Sequence, residues 1–258
     1  MSNRVINLSG VHNFRDYGGY AVAGGGQVKK GLLWRSAHHE EATDEDLDRI
    51  DTIGLKSVID LRGDDERALH PCRRSPNFQA QVLFAGGKTA GLAPHLAAAT
   101  ENVDVETARA RMIDTYHSMP YREALVGTMK LYFQALSQDE SPSLVHCVAG
   151  KDRTGLSVAI LHDLLGVHAD DALQDYLLTN TAGNIDARIA QGGDHLRSRF
   201  AYKISDDAIR ALMSVEEAYL AAAINVIRKD HGSIQNYAEA VLDVDAAKRE
   251  ALIKLLVA

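Results

Sequence analysis

Cys147 and Arg153 stand six residues apart in the segment SLVHCVAGKDRTGLSVAILHDLLG, where residue types and order suit chemistry on phosphate. A short apolar run ends at the cysteine, a glycine-bearing stretch follows, and an apolar helix begins near the arginine. In such a turn successive backbone N–H groups point inward as a nest, and the helix adds its unpaired N-terminal donors and the positive end of its dipole. That field favours the thiolate of a cysteine at its rim, which is the nucleophilic form. Arg153 would supply planar bidentate contacts to phosphate oxygens that lysine cannot reproduce. Thr154 would give its hydroxyl to the sulfur, and the stretch Val148, Ala149, Gly150, Lys151, Asp152, Arg153 and Thr154 would cradle the anion. Gly150 and Gly155 permit tight turning and close helix packing. A cysteine and an arginine at this spacing are a weak signal alone; the strand before and the helix after give it weight. Cys72 has neither, with Phe78 six residues on, and reads as a spectator thiol.

A leaving oxygen needs a carboxylic acid that reaches it and holds a proton near working pH. Asp152 has proximity from sequence alone. Asp60, at the end of the strand-like VID, should emerge at the carboxyl edge of a parallel sheet, where open α/β folds place ligands; an ion pair with Arg62 or Arg15 accounts for it equally well. Asp114 reads as a solvated helix residue. His146 beside the cysteine reads as a residue that orients the loop. The 11 histidines, His38, His39 and His162 among them, fall in no metal-ligand spacing, so neither a metal nor another cofactor is expected.

The elements that must hold these residues are legible. Thr43 followed by Asp46 predicts a capped helix over TDEDLDRIDTIG, ended by Gly54. KSVIDLR and SLVHC read as buried parallel strands, LLWRS as a short strand and FQAQVLF as an alternating one. From Val103 to Leu136 the apolar spacing is helical with a break at Met119-Pro120, which predicts two helices. Tyr17 to Gly31 predicts a turn or hairpin, AGGGQ included, and everything after His168 reads as mostly helical. Alternating strands and helices followed by helices predict an α/β fold: a mostly parallel central sheet flanked by helices, with a helical C-terminal part. Without repeats or linkers, residues 1–258 are expected to form a single domain.

The chain has 258 residues, 46% of them hydrophobic, with a net charge of −7. That composition excludes a disordered chain and argues against a nucleic-acid partner, which needs a broad basic face. Two cysteines fit a reducing compartment. No signal-like stretch or long apolar run occurs, so a cytoplasmic protein with no integral membrane segment is expected, export by a route without a signal peptide being left open.

HCVAGKDRTG resembles the phosphate-binding signature of the atypical bacterial tyrosine/dual-specificity phosphatases. The resemblance extends upstream through NFRDYGGY at Asn13–Tyr20, LLWRSA at Leu32–Ala37 and VIDLRGDDER at Val58–Arg67, in the expected order. It implies that Cys147 attacks phosphorus, Arg153 holds the equatorial oxygens and water hydrolyses a phosphocysteine. It also implies that the Lys151-Asp152 pair goes with breadth toward phosphotyrosine, phosphoserine/threonine and phosphoinositides. The Trp-Pro-Asp loop that carries the acid in typical members is missing, since Arg35 and Ser36 follow the single tryptophan, Trp34. The substrate partner is therefore expected to be a phosphorylated protein or a phosphoinositide. Two competing functions are a phosphate reader without turnover and a rhodanese-like sulfurtransferase; phosphate release from an aryl phosphate and thiosulfate activity separate them.

Three further segments are open at this level. Asp16 either orients Arg153 or serves its own segment. Arg197 and Arg199 in GGDHLRSRF fall in a solvated loop or in a cover over the site. Gly86 to Thr100 could belong to a mobile cover.

Overall fold

The computed structural model describes residues 4–88, 103–199 and 204–258. Its sheet holds β1 (Arg15–Asp16), β2 (Leu33–Ser36), β3 (Ser57–Asp60), β4 (Gln81–Leu83) and β5 (Ser143–His146). The order is β1-β2-β5-β3-β4, parallel throughout except for the antiparallel edge strand β1. The mostly parallel α/β architecture is thus as expected, and β1 is the addition. Two residues give no periodicity to read.

The central strands β3 and β5 are buried on both faces, and successive side chains enter different cores. Val58 of β3 and Leu144 of β5 join Val11, Phe14, Leu47 and Ile50 in a small core on one face, under α1 (Asp44–Asp51). Their neighbours Ile59 and Val145 face the large core on the other side. Because the side-chain period of a strand is two, a one-residue slip would exchange the two faces, so the patterning fixes the register. In that register Ser36, His146 and Asp60 end abreast at the carboxyl edge.

After α2 (Asp64–Leu69) come α3 (Val105–Ser118), α4 (Glu123–Leu136), α5 (Asp152–Leu165), α6 (Ala169–Leu177), α7 (Thr179–Ala182), α8 (Ile185–Arg199), α9 (Asp206–Met213), α10 (Glu217–His231), α11 (Ile234–Leu242) and α12 (Ala246–Leu256), all of which but α7 contribute to the large core. The break between α3 and α4 is a 3-10 turn at Met119–Tyr121 around Pro120. Thr43 caps α1 in the full capping box with Asp46. Gly166, at φ +83°, ends the almost wholly buried α5 in a left-handed cap. The glycine-rich segment is a hairpin-like turn bridged at Ala21 and Gln27, and Gln27 exchanges two backbone hydrogen bonds with Ala258, which ties the chain's end to it.

Within GGDHLRSRF, the stretch 192–199 is not a loop. It lies in α8, despite two glycines that cost about 1 kcal/mol each in a helix interior. Tertiary anchors outweigh that propensity: Ile185 is buried at the first turn and Asp186 accepts from Arg210 of α9 at 2.8 Å. No helix among the described residues is long and apolar enough to cross a membrane.

Candidate active site

Cys147 directly follows β5 and is 2% exposed. The loop after it is shaped by what its carbonyls meet. The Val148 carbonyl accepts from the His38 backbone N–H at 3.1 Å. The Gly150 carbonyl accepts from Asn13 Nδ2 at 2.7 Å and from an Arg35 terminal nitrogen at 3.0 Å. In a planar trans peptide C=O and the following N–H point oppositely, so the N–H groups of Ala149 and Lys151 are directed away from those partners, as an anion nest requires. Gly150 has φ +64°, and a Cβ there would lie 2.2 Å from the Ser36 carbonyl oxygen. Only glycine fits. At Gly155 a Cβ would fall 2.7 Å from the Tyr176 ring, which seats α5 against α6.

Beneath the loop lies a dry ion cluster. Asp175 of α6 accepts from Arg35 at 2.6 Å and from Arg15 Nε at 3.3 Å, all three side chains being fully buried. Arg15 also reaches the Asp175 carbonyl, the Thr179 hydroxyl and the Asn13 side-chain oxygen. Burial and the neighbouring Arg35 push Arg15 down to about 10, so it remains a cation at neutral pH. Burial works against the Asp175 carboxylate, but the two guanidinium groups hold it well below the usual range. NFRD and LLWRSA are therefore the supports of the loop.

Arg153, at the first turn of α5, is held end-on by Glu66 of α2, with contacts of 2.5 and 2.9 Å, and by the Leu61 carbonyl at 3.2 Å. Burial opposes its charge, yet the Cys147 sulfur and the Glu66 carboxylate more than offset that and raise its pKa. Two buried donor-bearing atoms at this end of the site, Arg153 Nε and Thr154 Oγ1, have no protein partner. The threonine hydroxyl thus makes no hydrogen bond to the sulfur here.

Asp152 is 2% exposed and accepts, through Oδ1, from the Tyr116 hydroxyl at 2.8 Å and from Lys151 Nζ at 3.0 Å. Tyr116 continues to Tyr176 at 2.7 Å. The Lys151 ammonium is also donated to the carbonyls of Leu212 and Ser214, at the C-terminal end of α9, where the helix dipole favours a cation. Burial lowers its pKa. Its head group is thus engaged by protein, so Lys151 contributes its backbone N–H to the loop.

Asp60 lies at the carboxyl edge as expected, but both its oxygens are taken by Arg62, at 2.8 and 2.7 Å. Burial would raise its pKa; the His146 ring and the Arg62 guanidinium reverse that, and the carboxyl sits well below its ordinary range. That favours the carboxylate form of Asp60 and weighs against it as a proton donor. His146, stacked on His39, is pushed down to about 4 by burial. Asp60, His146 and Cys72 are the one group of potential metal ligands gathered among the described residues. Arg62 bridges Asp60 and Cys72, its terminal nitrogen 3.2 Å from the sulfur, and puts a cation where a metal would sit. The spectator thiol is accordingly wired to Asp60.

Of the other sequence candidates, Asp16 does not touch Arg153. It accepts from the N–H groups of Gly18 and Gly31, both at 2.7 Å, and so closes its own turn. Asp114 is exposed on α3. Arg197 pairs with Asp194 and Asp206 at the surface, the Arg199 side chain lies outside what is described, and so does most of Gly86–Thr100. Glu66, Asp175 and Asn13 were not singled out from sequence; their partners lie so far away along the chain that no spacing connects them.

A family model described as the tyrosine phosphatase family matches residues 6–258. The chain belongs to that family. It is 35% identical over 245 residues to a candidate tyrosine-protein phosphatase of Cupriavidus necator, covering 92% of this chain and 84% of that protein. It is 27% identical over 263 residues to the triple specificity protein phosphatase PtpB of Mycobacterium tuberculosis, covering 90% and 92%. A solved structure of TpbA from P. aeruginosa aligns over 75% of this chain and 96% of its own at 18% identity, with a TM-score of 0.32, too low to carry an argument. The chain is a cysteine-based protein-tyrosine/dual-specificity phosphatase.

Proposed function

We propose that Cys147 is the nucleophile, Arg153 the phosphate clamp and Asp152 the general acid of a phosphomonoesterase acting on phosphotyrosine, with phosphoserine/threonine and phosphoinositides as further substrates. The carrying observation is the cup around Cys147: outward-turned loop carbonyls on one side, and on the other the unpartnered donors of Arg153 and Thr154. Loop N–H groups and a guanidinium held by Glu66 suit the flattening phosphoryl group, whose charge they meet without reorganising. The triple specificity named for the mycobacterial relative supports the breadth of substrate.

In the first half-reaction the Cys147 sulfur forms a bond to phosphorus as the ester oxygen departs and takes the Asp152 proton. In the second, water attacks phosphorus and returns a proton to Asp152, the S–P bond breaks, and phosphate leaves with the thiolate restored. Both protein contacts of Asp152 fall on Oδ1, which leaves Oδ2 for the leaving group. Residues 1–258 act in this as one domain, in keeping with a core that runs from Tyr17 to Leu256.

Leaving-group chemistry tests the acid. Asp152→Asn should slow an alkyl phosphate far more than an activated aryl phosphate, whose leaving group departs unaided; Asp60→Asn should slow both alike. The reverse pattern would return the acid role to Asp60. Catalytic efficiencies across phosphopeptides and phosphoinositides would rank the substrates.

A further inference from the structure

We propose that Arg188, carried by α8, is a second guanidinium ligand of the phosphoryl group, in addition to Arg153. The inference rests on the reading of Cys147 as the centre of the phosphate site.

The chain's path places Arg188 there. The Asn13 residue whose side chain holds the Gly150 carbonyl also donates its backbone N–H to the Ala182 carbonyl at 3.0 Å, so the end of α7 is fastened to the phosphate loop. Asn180 of α7 exchanges two hydrogen bonds of 2.9 Å with the backbone of Val215, next to the Ser214 carbonyl that receives Lys151. Asn184, at φ +50°, turns the chain into α8, and Ile185 is buried to anchor it. Arg188 follows one turn later. At 3.6 residues per turn the nine residues to Arg197 make about two and a half turns, so Arg197 occupies the opposite face and meets its acidic partners there.

The surroundings of Arg188 are those of the active site. Burial lowers its pKa, while Cys147 first and then Asp152 act electrostatically to raise it. It also acts on His12, His38 and Lys151, which face it from neighbouring segments. One of its terminal nitrogens, Nη1, is buried without a protein partner, as are Arg153 Nε and Thr154 Oγ1 on the first turn of the helix that follows the Cys147 loop. An unpartnered buried donor is costly unless a ligand meets it. Lys151, the other cation nearby, is already held by three protein acceptors. A phosphate dianion at Cys147 would offer Nη1 an acceptor, and an arginine delivered by a helix would add grip that the loop alone lacks.

The test compares the full chain with Arg188→Gln and Arg188→Lys, reading kcat and KM for an aryl phosphate together with the inhibition constant of inorganic phosphate. Binding of inorganic phosphate by calorimetry is measured in a Cys147→Ser background, and the unfolding temperature of each variant is recorded. A charge-assisted contact corresponds to about a 10- to 100-fold weakening of phosphate in Arg188→Gln, with partial recovery in Arg188→Lys. Phosphate affinity within twofold of the parent in both variants would overturn the proposal, as would a loss that follows the unfolding temperature and not the charge. If wild type fails to turn over, the functional reading falls, yet the calorimetric comparison still reports on Arg188. Normal turnover with phosphate binding indifferent to Arg188 would sink this inference alone.

Discussion

Two guanidinium–carboxylate systems flank the phosphate loop, and they differ in what they hold. Below the loop, Asp175 binds Arg15 and Arg35, all fully buried, and other donors of the two arginines go to the Gly150 and Asp175 carbonyls, Asn13 and Thr179, with Arg35 Nε left without a partner. At its side, Glu66 engages both terminal nitrogens of Arg153 while Nε has no protein partner. The first system shapes backbone; the second presents a charge. The same chemical pair thus fastens loop carbonyls below and, on the proposed reading of Arg153, orients a phosphate clamp at the side.

That contrast predicts different failures. The largest effect should be on stability, at Asp175→Asn. It strands two buried guanidinium groups on a half-strength acceptor, and breaking a buried pair costs about 3–5 kcal/mol. Denaturant unfolding measures it, and a loss under about 1 kcal/mol would show that the cluster is not the loop's foundation. Arg153→Lys should leave the midpoint of unfolding nearly unchanged but lower turnover by about 10²-fold or more, because an ammonium cannot make two parallel contacts. A near-normal rate would remove Arg153 as clamp. Glu66→Gln should have a smaller effect, about tenfold on kcat/KM, since it loosens the arginine without removing it. An unchanged rate would mean the loop alone positions Arg153.

The smallest effect is a pH dependence. His146 is held at about 4 by burial, below the unfolded value of about 6.5. Between those values the unfolded chain binds more protons than the folded one, so stability declines as pH falls from 6.5 toward 4, by at most about 1.4 kcal/mol per pH unit for this histidine. His146→Asn should flatten that slope in thermal unfolding; an unaltered slope would show that His146 titrates normally. Below that window Asp175, with its depressed pKa, adds its own loss as pH falls below its ordinary value of about 3.9.

The sequence carried the local part of this comparison and not the distant part. The run from Ser143 to Gly166 announces strand, loop and helix because apolar periodicity, glycine and cap residues are all local signals. Pro120 marked the break between α3 and α4 for the same reason. The Asp175 cluster joins residues from three separate segments, and each arginine looks like any surface charge until the fold removes its water. Glu66 lay within the quoted block VIDLRGDDER, yet nothing local distinguishes it from Asp64 or Asp65. For Asp60 the place at the strand end was visible, while Arg62 was only one of two possible partners. α8 misled because two glycines weigh against a helix that tertiary anchors supply.

As the proposed nucleophile, Cys147 would carry the phosphoryl group during turnover. Stopping an aryl phosphate reaction within one turnover by rapid denaturation, then mapping the modified peptide by mass spectrometry, tests it directly. One phosphoryl group is expected on the peptide holding Cys147, and none in Cys147→Ser, which should also lose turnover while still binding phosphate. Phosphate release by Cys147→Ser within tenfold of wild type, or label on another residue such as Cys72, would contradict it.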